Sequence, residues 1–161
     1  MRLACRKLLH RYNHSQPEDE QLRQSILGGL LGGMGGNVHI EPPFYCDYGS
    51  NITLGSNIYI NFGCIILDPG PVAIGDNTMF GPNVQLLTAT HPLDPVERDK
   101  GPELGQAITL GASVWVGGGA IICPGLNVGD GSVIAAGALV VKDVPARVVV
   151  GGNPARVIKE L

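Results

Sequence analysis

The sequence predicts an all-β chain wound as a parallel β-helix of triangular section. Three observations carry this: an aliphatic residue recurs at every sixth position, glycine often follows it, and 24 glycines and 12 prolines punctuate the chain. From 110 to 140 the sixth positions are Leu110, Val116, Ile122, Val128, Ile134 and Val140, and the same step runs through Ile74, Phe80 and Leu86 and through Leu54, Ile60 and Ile66. Eleven of these twelve are Val, Ile or Leu in a chain where 45 of 161 residues are, so composition alone does not produce the period. Two residues before each stands a second small or apolar side chain, among them Ile52, Ile58, Cys64, Val84, Val114, Ala120 and Ala138. Positions i and i−2 share one face of a strand, so each unit is a very short strand with two inward side chains. Glycine after six of the twelve (Gly55, Gly75, Gly81, Gly111, Gly117, Gly129) marks a corner that a Cβ would obstruct. Three such sides make a coil of about 18 residues, stacked at about 4.8 Å per coil, in which each strand pairs with those above and below. The period leaves the hand of the coil open.

Two interruptions break the step. Between Ile66 and Ile74 the segment Asp68–Pro71 adds two residues at a corner, and between Leu86 and Leu110 the chain has far more residues than one unit needs. Long excursions from a compact domain usually serve function, and this one, about 88–107, begins "TATHPLDP". Cys46 and Cys64 would stack in a uniform coil, but the longer step at Tyr48–Asn51 shifts the register and makes them neighbours at most. Ahead of the coil, "LACRKLLHRYN" and "PEDEQLRQSILGGLLGG" read as two amphipathic helices, the second with Pro17 and acids in its first turn, forming an N-terminal helical cap over 1–36. The coil then occupies 37–161 and ends in a short C-terminal helix at about 154–161, started by the N-cap and N1 pair Asn153–Pro154.

Composition narrows the function. The net charge is −3 and only 16% of residues are charged, with no basic run in either half, so electrostatic binding to nucleic acid has little support. No apolar run reaches membrane-spanning length. The N-terminus "MRLACRKLLHRYNHSQP", with no acid before Glu18, has the composition of a presequence but also that of a helical cap. Cys5, Cys46, Cys64 and Cys123 lack metal-ligand spacing and read as small buried residues of a reducing, cytoplasmic protein. Between the inward positions, Tyr59, Ile65, Met79, Trp115, Ile121, Val133 and Leu139 must point outward. That is more apolar surface than a soluble monomer exposes along one prism, and threefold closure into a homotrimer would cover it, with clefts between chains.

The segments "LLHRYN", "HIEPPFYCDYGSNITLG", "NFGCIILD", "IGDNTMFGPNVQ", "TATHPLDPVER", "VWVGGGAIICPG" and "GNPARVIKEL" together make the chain resemble the hexapeptide-repeat acyltransferases, closest to the maltose and galactoside O-acetyltransferase branch. The resemblance implies a left-handed coil, a homotrimer with active sites between subunits, and transfer of an acetyl group from acetyl-CoA to a hydroxyl, here of a sugar, with no metal and no membrane or nucleic-acid partner. It also makes the basic N-terminus part of the fold rather than a presequence.

The resemblance implies His91 as the catalytic residue, and chemistry agrees. A sugar hydroxyl is a poor nucleophile at neutral pH, and an imidazole titrating near neutrality can take its proton. His10, His14 and His39 lie outside the excursion. Glu103, near the end of the excursion, is the expected carboxylate partner that orients the imidazole. Asn61 and Asp47 match acceptor-binding positions, although both residue types also build turns. For the coenzyme the matching positions are Trp115, beside the thioester arm, Gly118 and Ala136, where small residues let a ligand approach the backbone, and Val141 through its main chain. Lys142, Arg156 and Lys159 would meet the nucleotide phosphates. Two departures stand against a simple transfer of sugar specificity: the sequence begins later than the family's acidic acceptor-site helix, and Pro69 replaces an aspartate of the galactoside branch. Two other functions compete, a non-catalytic structural or regulatory trimer of the same fold and a γ-class carbonic anhydrase, which would need three zinc-ligating histidines.

Overall fold

The structure, a computed structural model, describes residues 1–161. Two helices come first, α1 (Arg2–Asn13) and α2 (Glu20–Leu30). They bury Cys5, Leu9 and Tyr12, and Ile26, Leu27 and Leu30, spacings of three and four residues that set one stripe of each helix against the coil. The Tyr12 hydroxyl donates to the Ile40 carbonyl, Gln24 Nε2 donates to the Val38 carbonyl at 2.7 Å, and Asn13 exchanges two 2.9 Å bonds with the Phe44 backbone. The first coil has no coil beneath it, so these side chains supply hydrogen-bond partners that another strand would otherwise provide. Gln16–Asp19 forms a turn, Asp19 N bonding Gln16 O at 3.1 Å, so α2 starts at Glu20 and leaves Pro17 outside it.

The coil follows as expected, beginning at Gly33–Met34, within the span assigned to the cap. Three parallel faces result. The first holds Gly33–Met34, Ile52–Leu54, Val72–Ile74, Ile108–Leu110 and Asn127–Val128; the second holds Val38–Ile40, Ile58–Ile60, Met79–Phe80, Trp115–Val116, Val133–Ile134 and Val148–Gly151. The third holds Tyr45–Cys46, Ile65–Leu67, Gln85–Leu87, Ile121–Ile122 and Leu139–Val140. Thr109 pairs with Asn127, the 18-residue step that the period predicts. Earlier coils take 20 residues, as Thr53 pairs with Ala73, because two are added where the chain leaves the third face. Ala73 pairs with Thr109, so 36 residues, one coil plus an 18-residue excursion, separate those strands.

Inward positions make the core. Ile52, Ile60, Leu86, Val116, Ile122 and Ile134 are fully buried. Three buried hydroxyls each donate to one backbone carbonyl and accept one backbone N–H: Thr78 (Gly111 O, Val114 N), Thr88 (Leu67 O, Gly70 N) and Ser132 (Pro145 O, Val148 N). Each stitches adjacent stretches of coil without leaving a polar atom unpaired. The corner glycines serve close approach: a Cβ on Gly75 would lie 2.6 Å from Gly111 C in the coil above. The left-handed residue falls two positions later, as at Asn57 (φ 59°) and Asn77 (φ 58°), whose side chains form a ladder with Asn37 through 3.0 Å hydrogen bonds.

The expectation for the C-terminus changes. The C-terminal segment is not a helix: Arg156–Glu160 is a strand antiparallel to Val148–Gly151, joined by a turn at Gly152–Ala155. Asn-Pro opens turns as readily as helices, and the β-branched Val157 and Ile158 suit a strand on a sheet edge. Cys46 aligns with Ile66 rather than Cys64, and its Sγ lies 3.6 Å from Cys5 Sγ under the cap. The excursion is ordered: Ala89–Thr90 pairs antiparallel with Leu104–Gly105, and between them the short helix α3 (Pro95–Arg98) is capped by Asp94, whose Oδ1 accepts from Glu97 N at 3.0 Å. No helix is long and apolar enough to cross a membrane.

Candidate active site

His91 follows the Ala89–Thr90 strand, and pairing of that strand with Leu104–Gly105 brings the returning chain alongside it. His91 Nδ1 stands 2.9 Å from the Pro102 carbonyl. A carbonyl only accepts, so Nδ1 donates its N–H here, and in the neutral ring that tautomer places the lone pair on Nε2. The ring is exposed, and its position before Pro92 keeps its own backbone extended. Nε2 has no partner within the chain, and an imidazole aimed in this way presents, in its neutral form, the nitrogen a general base requires.

Glu103 does not hold the imidazole. Its Oε2 accepts from Arg2 Nη2 at 2.8 Å, and the backbone carbonyl of the preceding Pro102 takes the place expected for a carboxylate. Arg2 also reaches Asp47, Nε to Oδ1 at 3.5 Å, and lies 5.0 Å from the centre of the Tyr48 ring. His91, Glu103 and Asp47 are therefore joined into one group through Pro102 and Arg2, at the corner where the chain leaves the third face.

Sequence reasoning missed Arg2 and Asp68. Asp68 is fully buried, and its Oδ1 accepts from Asp47 N and Tyr48 N, both at 2.9 Å, which shapes the turn that presents Asp47. A signal was present: Cys64, Ile66 and Asp68 alternate on the inward side, so the acid occupies a core-facing position. Asp68→Ala leaves two backbone donors unpaired and is expected to cost about 3 kcal/mol, read as a lowered chemical-denaturation midpoint. Asp68→Asn, which keeps an acceptor oxygen, should recover most of it.

The positions expected to meet a coenzyme lie elsewhere. Gly118 and Ala136 are neighbours on successive coils at the corner between the second and third faces, where Gly137 N donates to Gly118 O at 2.9 Å. Asn61 stands two coils below Gly118 at that corner; its Oδ1 accepts from Phe62 N at 2.8 Å, a turn contact that leaves its amide N–H groups free. Trp115 is 53% exposed, between Met79 and Val133 on the second face. Val141, Lys142 and Arg156 line a hollow of about 160 Å³ with Val150 and Ala155, whereas Lys159, aligned with Val149, belongs to the second face. In one chain the width of the third face, about four residues or roughly 13 Å, separates this corner from the one carrying the His91 group.

The buried cysteines are not poised as nucleophiles. Burial raises the thiol pKa of Cys5, Cys46 and Cys64, the last to about 11, so none is a thiolate at neutral pH.

Residues 1–35 match the maltose acetyltransferase hexapeptide capping motif. The galactoside O-acetyltransferase of Escherichia coli is 42% identical over 160 residues, 99% of this chain and 79% of that protein. A maltose O-acetyltransferase from Clostridium difficile superposes with a TM-score of 0.98 at 44% identity, covering 99% of this chain and 86% of that one. A galactoside acetyltransferase solved in complex with coenzyme A superposes at 0.96 and 42% identity, covering 99% and 80%. Superposition distinguishes mirror images, so the coil shares the left hand of these structures.

Proposed function

Because the chain belongs to the galactoside and maltose O-acetyltransferase family of hexapeptide-repeat acetyltransferases, we propose that it transfers the acetyl group of acetyl-CoA to a sugar hydroxyl, with His91 as general base. The observation that carries this reading is the imidazole whose Nδ1 is engaged by Pro102 and whose Nε2 is free. Nε2 accepts the hydroxyl proton as the oxygen bonds to the thioester carbonyl carbon. When the tetrahedral adduct collapses, the C–S bond breaks and the imidazolium returns the proton to the departing sulfur. Such proton transfer contributes about 10²- to 10⁴-fold. Asp47 beside His91 and Asn61 at the facing corner of a second copy of the chain, the latter through its free N–H groups, orient the acceptor.

The positions matched to the coenzyme fit such a ligand. Gly118 and Ala136 leave backbone uncovered at the corner, Trp115 offers an exposed ring to the pantetheine arm, Val141 adds a main-chain contact, and Lys142, Arg156 and Lys159 are exposed cations for phosphates. Their separation from His91 supports a site shared between two copies of the chain. The outward residues agree: the first face carries Thr53, Ala73, Thr109 and Asn127, while the second and third carry Tyr59, Met79, Trp115 and Val133, and Ile65, Ile121 and Leu139. A homotrimer that covers the two apolar faces closes the cleft. Four free thiols fit a cytoplasmic, reducing setting.

The test is thiol release from acetyl-CoA with a panel of mono- and disaccharides, amino sugars and serine. Acceptor-dependent release with a sugar is expected. Release with serine alone would overturn the sugar assignment, and no release with any acceptor would overturn the transfer reaction.

A further inference from the structure

Apart from the paired strands at its root, the excursion is nearly free of the body of the protein. Between 91 and 104 almost every residue is exposed, and α3 buries none of its side chains. The polar contacts of this segment are internal: His91 to Pro102, Arg98 to Pro92 and Leu93, Lys100 to Glu97. Among side-chain hydrogen bonds and ion pairs, one joins it to the rest of the chain, Arg2 Nη2 to Glu103 Oε2 at 2.8 Å. The guanidinium also forms a 3.5 Å ion pair, without a hydrogen bond, to Asp47 Oδ1 and lies 5.0 Å from the centre of the Tyr48 ring, and the backbone N–H groups of Asp47 and Tyr48 are held by the buried Asp68. Glu103 is bonded directly to Pro102, whose carbonyl holds His91.

We propose that Arg2 is a positioning residue for the transfer reaction: it clamps Glu103 to the Asp47 corner and thereby sets where Pro102 presents His91. The inference rests on the reading of His91 as general base. Arginine suits the task because its planar fork engages two carboxylates at once while its face stacks on an aromatic ring, which an ammonium does not reproduce. The pair is partly exposed and adds little to stability. Its effect falls on geometry, where a displacement of about 1 Å in a reacting group lowers rate by up to about 100-fold. It also ties Asp47 to the loop of the base, because one guanidinium meets both Asp47 and Glu103.

The experiment uses the full chain carrying Arg2→Ala, Glu103→Ala, both changes, and Arg2→Lys, with the acceptor that gives the highest release. Arg2→Ala is expected to lower kcat roughly tenfold or more with KM for acetyl-CoA unchanged. Glu103→Ala should add little once Arg2 is gone, and Arg2→Lys should recover part of the loss. Backbone amide exchange across 91–104 should rise in each alanine variant while protection in the coil stays as in the parent. Independent, multiplying losses in kcat, a change confined to acceptor KM, or unchanged exchange in the loop would each overturn the proposal. Failure of the general-base reading is separable: it appears as normal turnover in His91→Ala, whereas the exchange measurement on the Arg2 variants does not depend on His91.

Discussion

His91→Ala is expected to lower kcat at least about 100-fold, with thermal stability and assembly unchanged. The ring is exposed and makes one hydrogen bond, to Pro102 within its own excursion, so its loss opens no cavity. What disappears is the Nε2 lone pair, and a hydroxyl that keeps its proton attacks a thioester slowly. His91→Asn separates this from loop placement: the asparagine amide can still donate to the Pro102 carbonyl but offers no basic nitrogen, so its turnover should fall nearly as far as the alanine variant's. A strongly nucleophilic acceptor that needs no deprotonation, such as hydroxylamine, should be affected much less. Normal turnover in either variant with a sugar acceptor would remove His91 from the chemistry.

The arrangement around His91 was only partly legible in the sequence, and the reason is physical. Periodic burial is written along the chain, so the six-residue step predicts the three faces, and the added residues at Tyr48–Asn51 and Asp68–Pro71 predict the longer early coils. Contacts between distant, aperiodic segments leave no such record. Glu103 lies twelve residues after His91 and reads as its partner, yet the first cap helix supplies a competing cation, and an exposed carboxylate takes the nearest guanidinium. Cys5 and Cys46 likewise meet only because α1 seats on the first coil. At the C-terminus the local signal was ambiguous: Asn153–Pro154 suits a helix start, and only the unpaired edge at Val148–Gly151 selects a strand.

Gly117 and Gly118 are adjacent in the "VGGGA" stretch, yet substituting them should break different things. A Cβ on Gly117 would sit 2.5 Å from Ala136 N and 2.9 Å from Ala135 C in the coil above. Those atoms are backbone, and Gly117 N donates to Ile134 O at 2.7 Å, so neither coil can yield without losing a ladder bond. Gly117→Ala is therefore expected to cost about 3 kcal/mol, seen as a large fall in denaturation midpoint. At Gly118 the nearest atoms to a new Cβ are Pro82 Cδ and Pro82 O, both at 3.2 Å, a contact that a shift of a few tenths of an ångström relieves. Gly118→Ala should fold nearly as well as the parent. Its methyl group, however, covers backbone where the coenzyme arm is proposed to lie, and a loss of about 1.4 kcal/mol there appears as a tenfold higher KM for acetyl-CoA. The neighbouring corner residue Ala136 already carries a Cβ, so the ligand's closest approach falls at Gly118, and the effect should grow from alanine to valine. If Gly118→Val bound acetyl-CoA as tightly as the parent, the coenzyme would have to run along another edge of the prism, and the pairing of this corner with His91 of a second chain would fall with it.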